Sequence, residues 1–158
     1  RYWTSAMGTS AMIAIGLALM IWLGGFMPVL LIYLPTSVIA GTIGVWLFYV
    51  QHQFEETHWS KTEDWQVHEA ALEGSSHYVL PQPLRWLTAN IGIHHVHHLY
   101  SRIPFYRLPE VLRDNRALAE AQRLTIAQSF KSVNLHLWDE KLQKLMSFRE
   151  ARRRYGLA

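Results

Sequence analysis

One stretch of this sequence constrains the fold more than any other. Residues 2–50 contain no Asp, Glu, Lys, Arg or His. As a single α-helix they would be roughly 74 Å long, more than twice the hydrocarbon thickness of a bilayer, about 30 Å. The stretch must therefore fold back on itself. Gly24-Gly25 and Pro28 lie near its middle, where glycines loosen a helix and a proline suits the first turn of a new one.

We expect two transmembrane helices from this stretch, at about 4–24 and 28–50. Aromatic residues stand at both open ends, Tyr2-Trp3 at one and Trp46 and Tyr49 at the other, as in the aromatic belts of membrane interfaces. The turn between the helices has no Lys or Arg, whereas basic residues flank the open ends. The positive-inside rule therefore places both open ends in the cytoplasm.

The remaining residues have a composition suited to water. They contain 14 of the 15 basic residues, all 12 acidic residues and all nine histidines. The basic clusters are too small for a nucleic-acid interface, so we expect no nucleic-acid partner. The chain has no cysteine, which excludes disulfides, thiolate zinc sites and iron–sulfur clusters. We expect a membrane hairpin at 1–50 and a cytoplasmic helical cap at 51–158.

The pattern of apolar residues in the cap predicts helices and no strands, so the expected fold class is all-α. Apolar residues recur every three or four positions near the end of the chain, which is typical of an amphipathic helix. Glycine and proline residues separate the predicted segments. The predicted helical segments are 51–73, 84–99, 109–125 and 129–153.

Four of the nine histidines lie within five residues, directly after the apolar segment 91–93. On a helix His94, His97 and His98 are related as i, i+3 and i+4, so they project from one face and can converge on a metal ion. Imidazole suits iron, zinc, copper and nickel, so the spacing alone selects no metal. His95 points about 100° away and is a candidate for pairing with His98 or for a hydrogen bond that fixes a neighbouring imidazole.

His52 is a further candidate ligand because it follows the last apolar residue of the second predicted span. Ionisable residues at such positions are often functional. Glu55 and Glu56 follow it at i+3 and i+4 and are candidate acceptors of imidazole N–H bonds. A carboxylate-bridged di-iron bundle is not expected, because it needs two Glu-x-x-His motifs and the sequence has only the one that ends at His58.

Two segments of the sequence resemble the membrane-bound fatty acid desaturases, and specifically their bacterial acyl-lipid branch. Residues 46–55 (WLFYVQHQFE) are similar to the family's segment after the last span. Residues 90–99 (NIGIHHVHHL), followed by Ser-Arg-Ile-Pro at 101–104, are similar to its third histidine box, His-x-x-His-His. The resemblance extends over essentially the whole chain, including the hydrophobic hairpin and residues 137–140.

The resemblance implies a centre of two iron ions held by histidines. The third box corresponds to His94, His97 and His98, and His52 corresponds to an additional histidine next to the last span. In the animal acyl-CoA branch an Asn four residues before that histidine helps to hold one iron through water, but this chain has Phe48 there. A ligand held through water is therefore not expected at this position.

The family's first and second histidine boxes lie upstream of the matched region and are absent from this chain. With two of the usual four spans, the chain resembles the C-terminal half of a desaturase, and we expect it to be inactive without the N-terminal half. An incomplete ligand set holds a metal neither tightly nor selectively.

By resemblance, the whole enzyme would use O₂ and two electrons to introduce a double bond into an acyl chain. The resemblance implies membrane-lipid acyl chains as substrate, a ferredoxin-like electron donor and the bacterial inner membrane as location, with the histidine cap on the cytoplasmic side. Two alternatives stay open: a related di-iron hydroxylase or ketolase, and a non-catalytic membrane module that binds metal.

Overall fold

The computed structural model describes residues 2–61 and 63–156. These residues are mostly helical, which confirms the predicted fold class, and four three-residue strands form two small sheets. The chain separates into two compact units, with the division between Val45 and Trp46. The second unit contains every histidine of the sequence.

The helices of the described residues are α1 Tyr2–Gly24, α2 Phe26–Pro28, α3 Leu34–His52, α4 Val67–Glu73, α5 Gln82–Leu87, α6 His94–Leu99, α7 Leu108–Asp114, α8 Arg116–Glu120, α9 Ile126–Ser132 and α10 Phe148–Tyr155. A π-helical turn, Val29–Tyr33, joins α2 to α3, and a 3₁₀ turn, Phe105–Arg107, precedes α7. The strands are β1 His77–Val79, β2 Arg123–Thr125, β3 Leu137–Asp139 and β4 Lys144–Met146.

Two segments are long and apolar enough to cross a membrane, Trp3–Gly24 and Phe26–His52. Their bounds differ by at most two residues from the predicted 4–24 and 28–50. The second segment runs through Pro35. Because proline has no N–H and its ring crowds the carbonyl of the fourth residue before it, the wider π-helical turn just before α3 accommodates it.

The second unit has two apolar clusters. Val50 and Phe54, at the end of α3 and just beyond it, pack with Tyr78 of β1 and Leu124 of β2. The other cluster joins α6 to α7 and consists of Ile93, Val96 and Leu108, each at most 2% exposed.

The two sheets are short. Strand β1 pairs in parallel with β2, with Tyr78 opposite Leu124, and β3 pairs antiparallel with β4, with Trp138 opposite Leu145. The backbone before α6 also joins β1, because the Tyr78 N–H donates to the Gly92 carbonyl at 2.8 Å. A Cβ at Gly92 would collide with the Tyr78 carbonyl. The close pairing therefore requires glycine, and it fixes where α6 begins.

The predicted helix over 51–73 is wrong for its middle part. Helix α3 ends at His52, and helix resumes only at Val67. Phe54 turns into the apolar cluster, and the Gln53 side chain donates to the Leu135 carbonyl at 2.5 Å. The residues between the two helices include two Thr, two Trp, one Ser and one Asp, which favour helices weakly. Tertiary contacts therefore end the helix.

The predicted helix over 84–99 divides into α5 and α6. Ala89 and Asn90 between them have φ angles of 52° and 54°, a left-handed conformation that ends a helix. Asn90 is held there by its side chain, which donates to the Phe105 carbonyl at 2.9 Å. The sequence carries no glycine at the break, so the pattern alone gives a continuous helix.

The predicted helices over 109–125 and 129–153 are also interrupted. The first breaks at Asn115 and ends before β2. In place of the second are α9, the β3–β4 hairpin and α10. The Asp139 carboxylate accepts hydrogen bonds from the N–H groups of Lys141 and Leu142 at 2.9 and 3.2 Å. Such side-chain bonds stabilise a turn at the expense of a helix.

Candidate metal centre

Helix α6 is one and a half turns long and begins at the first residue of the histidine run. Ile93 and Val96 pack into the apolar cluster with Leu108. Because the helix is anchored on that side, His94 and His98 share a face on the other side, one turn apart. His94 is buried, with 7% of its surface exposed, and His98 is exposed.

The end of α3 brings His52 against this face. Its Nε2 atom lies 3.0 Å from Nε2 of His94, and Nε2 of His98 also lies 3.0 Å from Nε2 of His94. One ligand nitrogen from each of the three lies within 4.8 Å of the others. We call His52, His94 and His98 the three-histidine cluster. His52 is 42 and 46 residues away in sequence from His94 and His98, so only the fold brings it to them.

The tautomer of His52 follows from its second hydrogen bond. Its Nδ1 atom lies 3.2 Å from the carbonyl oxygen of Gly74. A carbonyl only accepts, so Nδ1 carries the proton and donates, and Nε2 keeps its lone pair. This arrangement, with the outer nitrogen bonded to a carbonyl, is typical of metal-ligating histidines.

Gly74 is held tightly at this point. Its N–H donates to the Ala70 carbonyl at 3.1 Å, which closes the end of α4. A Cβ at Gly74 would lie 2.6 Å from that same oxygen, closer than real Cβ atoms come. The residue next to His52 in space therefore has to be glycine.

Burial keeps His94 and His98 neutral. It lowers the pKa of His94 to about 3, with further lowering from the imidazoles of His98 and His52. Burial also lowers the pKa of His98, followed by the effect of His52. At neutral pH both rings are therefore uncharged, which is the state that binds metal ions.

The cluster fits a metal ion in number, chemistry and spacing. Nitrogens bound to one ion at about 2.0–2.1 Å lie about 3–4 Å apart, close to the separations seen here. Nδ1 of His94 is buried without a hydrogen-bond partner. Packing three nitrogen lone pairs together costs free energy unless a shared cation or proton lies between them.

The other two histidines of the run lie elsewhere. The His97 ring stacks on that of His94 at 5.8 Å and is outside the three-histidine cluster. His95, fully buried, faces away and donates from Nε2 to the Leu118 carbonyl at 2.8 Å. Its ring lies 5.5 Å from that of His77. His95 therefore fastens α6 to α8 and makes no bond to His98.

The two glutamates after His52 do not accept its proton. Glu55 pairs with Lys144 at 2.7 Å, and both Glu55 and Glu56 are exposed. His52 donates from Nδ1 to the Gly74 carbonyl instead. The sequence signal for this was indirect: a glycine after a helical segment marks a helix end, where free carbonyls are available.

Phe48, which stands where the animal acyl-CoA branch has Asn, packs on His52. The two ring centres are 4.9 Å apart. An apolar ring therefore takes the place of a polar side chain on this side of the cluster.

Comparison with known proteins agrees with the geometry. Residues 1–130 match the fatty acid desaturase family. The chain belongs to this family. A protein of Bacillus subtilis (strain 168) named "Fatty acid desaturase" is 45% identical over 125 residues, which cover 79% of this chain. The chain spans only 36% of the length of that curated relative. No solved structure matches this chain.

The family assignment and the two apolar helices make this a membrane protein of an oxidoreductase family. The histidines that the family resemblance indicates include all three members of the three-histidine cluster.

Proposed function

We propose that this chain supplies part of the di-iron centre of an O₂-dependent fatty acid desaturase. The observation that supports it most is the convergence of three imidazoles, one from the end of an apolar helix and two from a histidine box. The proposed iron ligands from this chain are His52, His94, His97 and His98.

Within this set the ligands divide between two positions. The three-histidine cluster suits one ion. His97 lies beside it, stacked on His94 but outside the group, and is proposed as a ligand of a second ion. The first two histidine boxes of the family are expected on another part of the enzyme and would complete both positions.

Iron bound there would supply the oxidant for unactivated C–H bonds: with O₂, two electrons and two protons, two adjacent carbons each lose a hydrogen, a double bond forms and two waters are released. The chain's own residues prepare the site. Gly74 orients His52, burial keeps His94 neutral, and the Phe48 ring covers one side of His52.

The substrate and its surroundings are part of the same proposal. Two helices able to cross a membrane suit an acyl chain of a membrane lipid as substrate. A ferredoxin-like protein is the proposed electron donor. The proposed location is the bacterial inner membrane, with the residues after His52 on the cytoplasmic side, as the distribution of basic residues favours.

Metal binding by the chain tests the ligand assignment. We expect the chain in detergent to bind Co²⁺, whose visible absorption reports coordination by nitrogen. His94→Ala should weaken this binding at least about tenfold, because it removes the central ligand of the cluster. His68→Ala is the matched control, since His68 is exposed and outside the cluster. Equal binding by His94→Ala and the unaltered chain would exclude the assignment.

The reaction itself is tested by its product. The complete gene, including the part expected to encode the first two histidine boxes, is expressed in a host without its own desaturase, and the membrane fatty acids are analysed by mass spectrometry. We expect a new double bond, and its loss in His97→Ala. An alcohol would identify the hydroxylase chemistry instead, and metal binding without any product would identify a non-catalytic module.

A further inference from the structure

A groove of about 570 Å³ borders the three-histidine cluster at His52. Its lining is largely apolar and includes Trp59, Trp138 and Leu145, with Glu140 as its charged member. A second groove of about 470 Å³ adjoins it and shares Trp59, Trp138 and Glu140. Together they form a continuous surface depression, apolar near His52 and polar farther away, which we call the Trp groove.

Two tryptophans stand where the two parts meet. The rings of Trp59 and Trp138 are 6.4 Å apart and inclined at 62°. Trp59 is 56% exposed although it is large and apolar. Indole faces attract cations, and proteins bind alkylammonium groups against aromatic faces.

The polar part of the Trp groove has more negative than positive side chains. Three carboxylates line it, Asp64, Glu69 and Glu140, against one ammonium group, Lys61. None of the described basic residues forms an ion pair with these three carboxylates. Charges that are left without partners in a groove attract a ligand of opposite charge.

We propose that the Trp groove binds the zwitterionic headgroup of a phospholipid whose acyl chain is the substrate. The ammonium group would lie between the tryptophan faces and the carboxylates, and Lys61 would face the phosphate. The apolar part beside His52 then suits the beginning of the chain. The identification of this lipid as substrate rests on the proposed function, whereas the headgroup site rests on the lining residues alone.

The test uses the chain in phosphatidylglycerol nanodiscs, which leave the groove free of zwitterionic lipid. Glycerophosphoethanolamine is added, and the indole N–H resonances of ¹⁵N-tryptophan are followed, after assignment with Trp59→Phe and Trp138→Phe. We expect saturable shifts confined to Trp59 and Trp138. Glycerol 3-phosphate, which lacks the ammonium group, should bind at least about fivefold more weakly.

Two matched variants test the charge. Glu140→Gln should weaken glycerophosphoethanolamine binding about three- to tenfold, and Glu120→Gln, an exposed residue outside the groove, should leave it unchanged. The other indole resonances report whether each variant is folded. Equal binding of glycerol 3-phosphate, an unchanged affinity in Glu140→Gln, or ethanolamine binding as tightly as the full headgroup would each overturn the proposal.

The two proposals fail separately. Co²⁺ binding is measured on the same samples: headgroup binding with no Co²⁺ binding would remove the desaturase proposal and leave the headgroup site. Co²⁺ binding with no headgroup shifts would remove the headgroup site and leave the desaturase proposal.

Discussion

At the scale of single residues, the position of one backbone carbonyl decides whether His52 can be a ligand. Gly74 supplies that carbonyl, and no larger residue fits there. Gly74→Ala should therefore move the carbonyl and weaken Co²⁺ binding about tenfold, as loss of an orienting hydrogen bond does in other metal sites. The affinity is measured by absorption titration.

Gly44→Ala is the control for this substitution, because a Cβ there meets nothing within 4 Å. The same Co²⁺ affinity in both variants would show that the Gly74 carbonyl does not orient His52.

A second prediction concerns His77, which is packed against His95 outside the three-histidine cluster. Burial lowers the pKa of His77 from 6.5 to about 4, against the opposing effect of its bond to the Ala119 carbonyl. The unfolded chain therefore binds this proton more readily than the folded chain. The contribution of neutral His77 to stability is complete above pH 6.5 and is lost as the pH falls from 6.5 to 4.

His77→Asn should remove this part of the acid sensitivity, on the order of 1–2 kcal/mol between pH 6.5 and 4. Thermal unfolding followed by circular dichroism in detergent measures it at both pH values. The other buried histidines are present in both proteins, so the difference reports His77 together with its interaction with His95. If His77→Asn leaves the pH dependence of stability unchanged, His77 is not a source of the acid sensitivity. His68→Asn, at an exposed position, is the control.

At the scale of elements, α6 depends on α7 for its position. Leu108 of α7 is 2% exposed and packs on Ile93 and Val96. Leu108→Ala should lower the free energy of unfolding of the second unit by about 2–5 kcal/mol, because it opens a cavity in a small core. Urea unfolding followed by circular dichroism measures the change.

Leu87→Ala provides the comparison, since Leu87 is 70% exposed and should change stability by no more than about 0.5 kcal/mol. If both variants unfold at the same urea concentration, α7 does not support the histidine helix.

The sequence predicts some elements well and others poorly, for physical reasons. The two apolar helices follow from the length of the uncharged stretch, and the convergence of His94 with His98 follows from helical spacing. Neither needs knowledge of the rest of the fold. The break at Ala89 and Asn90 does need it, because both adopt positive φ under tertiary hydrogen bonds. The Gly74 carbonyl was missed for the same reason: backbone groups leave no mark on residue types, and their partners are distant in sequence.

At the scale of the whole molecule, the two apolar helices require a nonaqueous environment. No residue in the most apolar 18-residue window of each is buried, and soluble proteins rarely expose apolar surfaces of this extent. Lipid, or further helices within lipid, would cover these surfaces. The membrane therefore determines which side each connecting segment faces.

The last prediction concerns that orientation. The chain has no cysteine, so single-cysteine variants carry one reactive thiol each. In bacterial cells, Met27→Cys in the turn should react with a membrane-impermeant maleimide added outside, and Arg153→Cys in α10 only after the membrane is permeabilised. Both positions are exposed. This labelling pattern is expected because the turn lacks basic residues, whereas 14 basic residues follow residue 50, and basic residues favour the cytoplasmic side. The opposite labelling pattern would reverse the orientation and place the three-histidine cluster away from cytoplasmic electron donors.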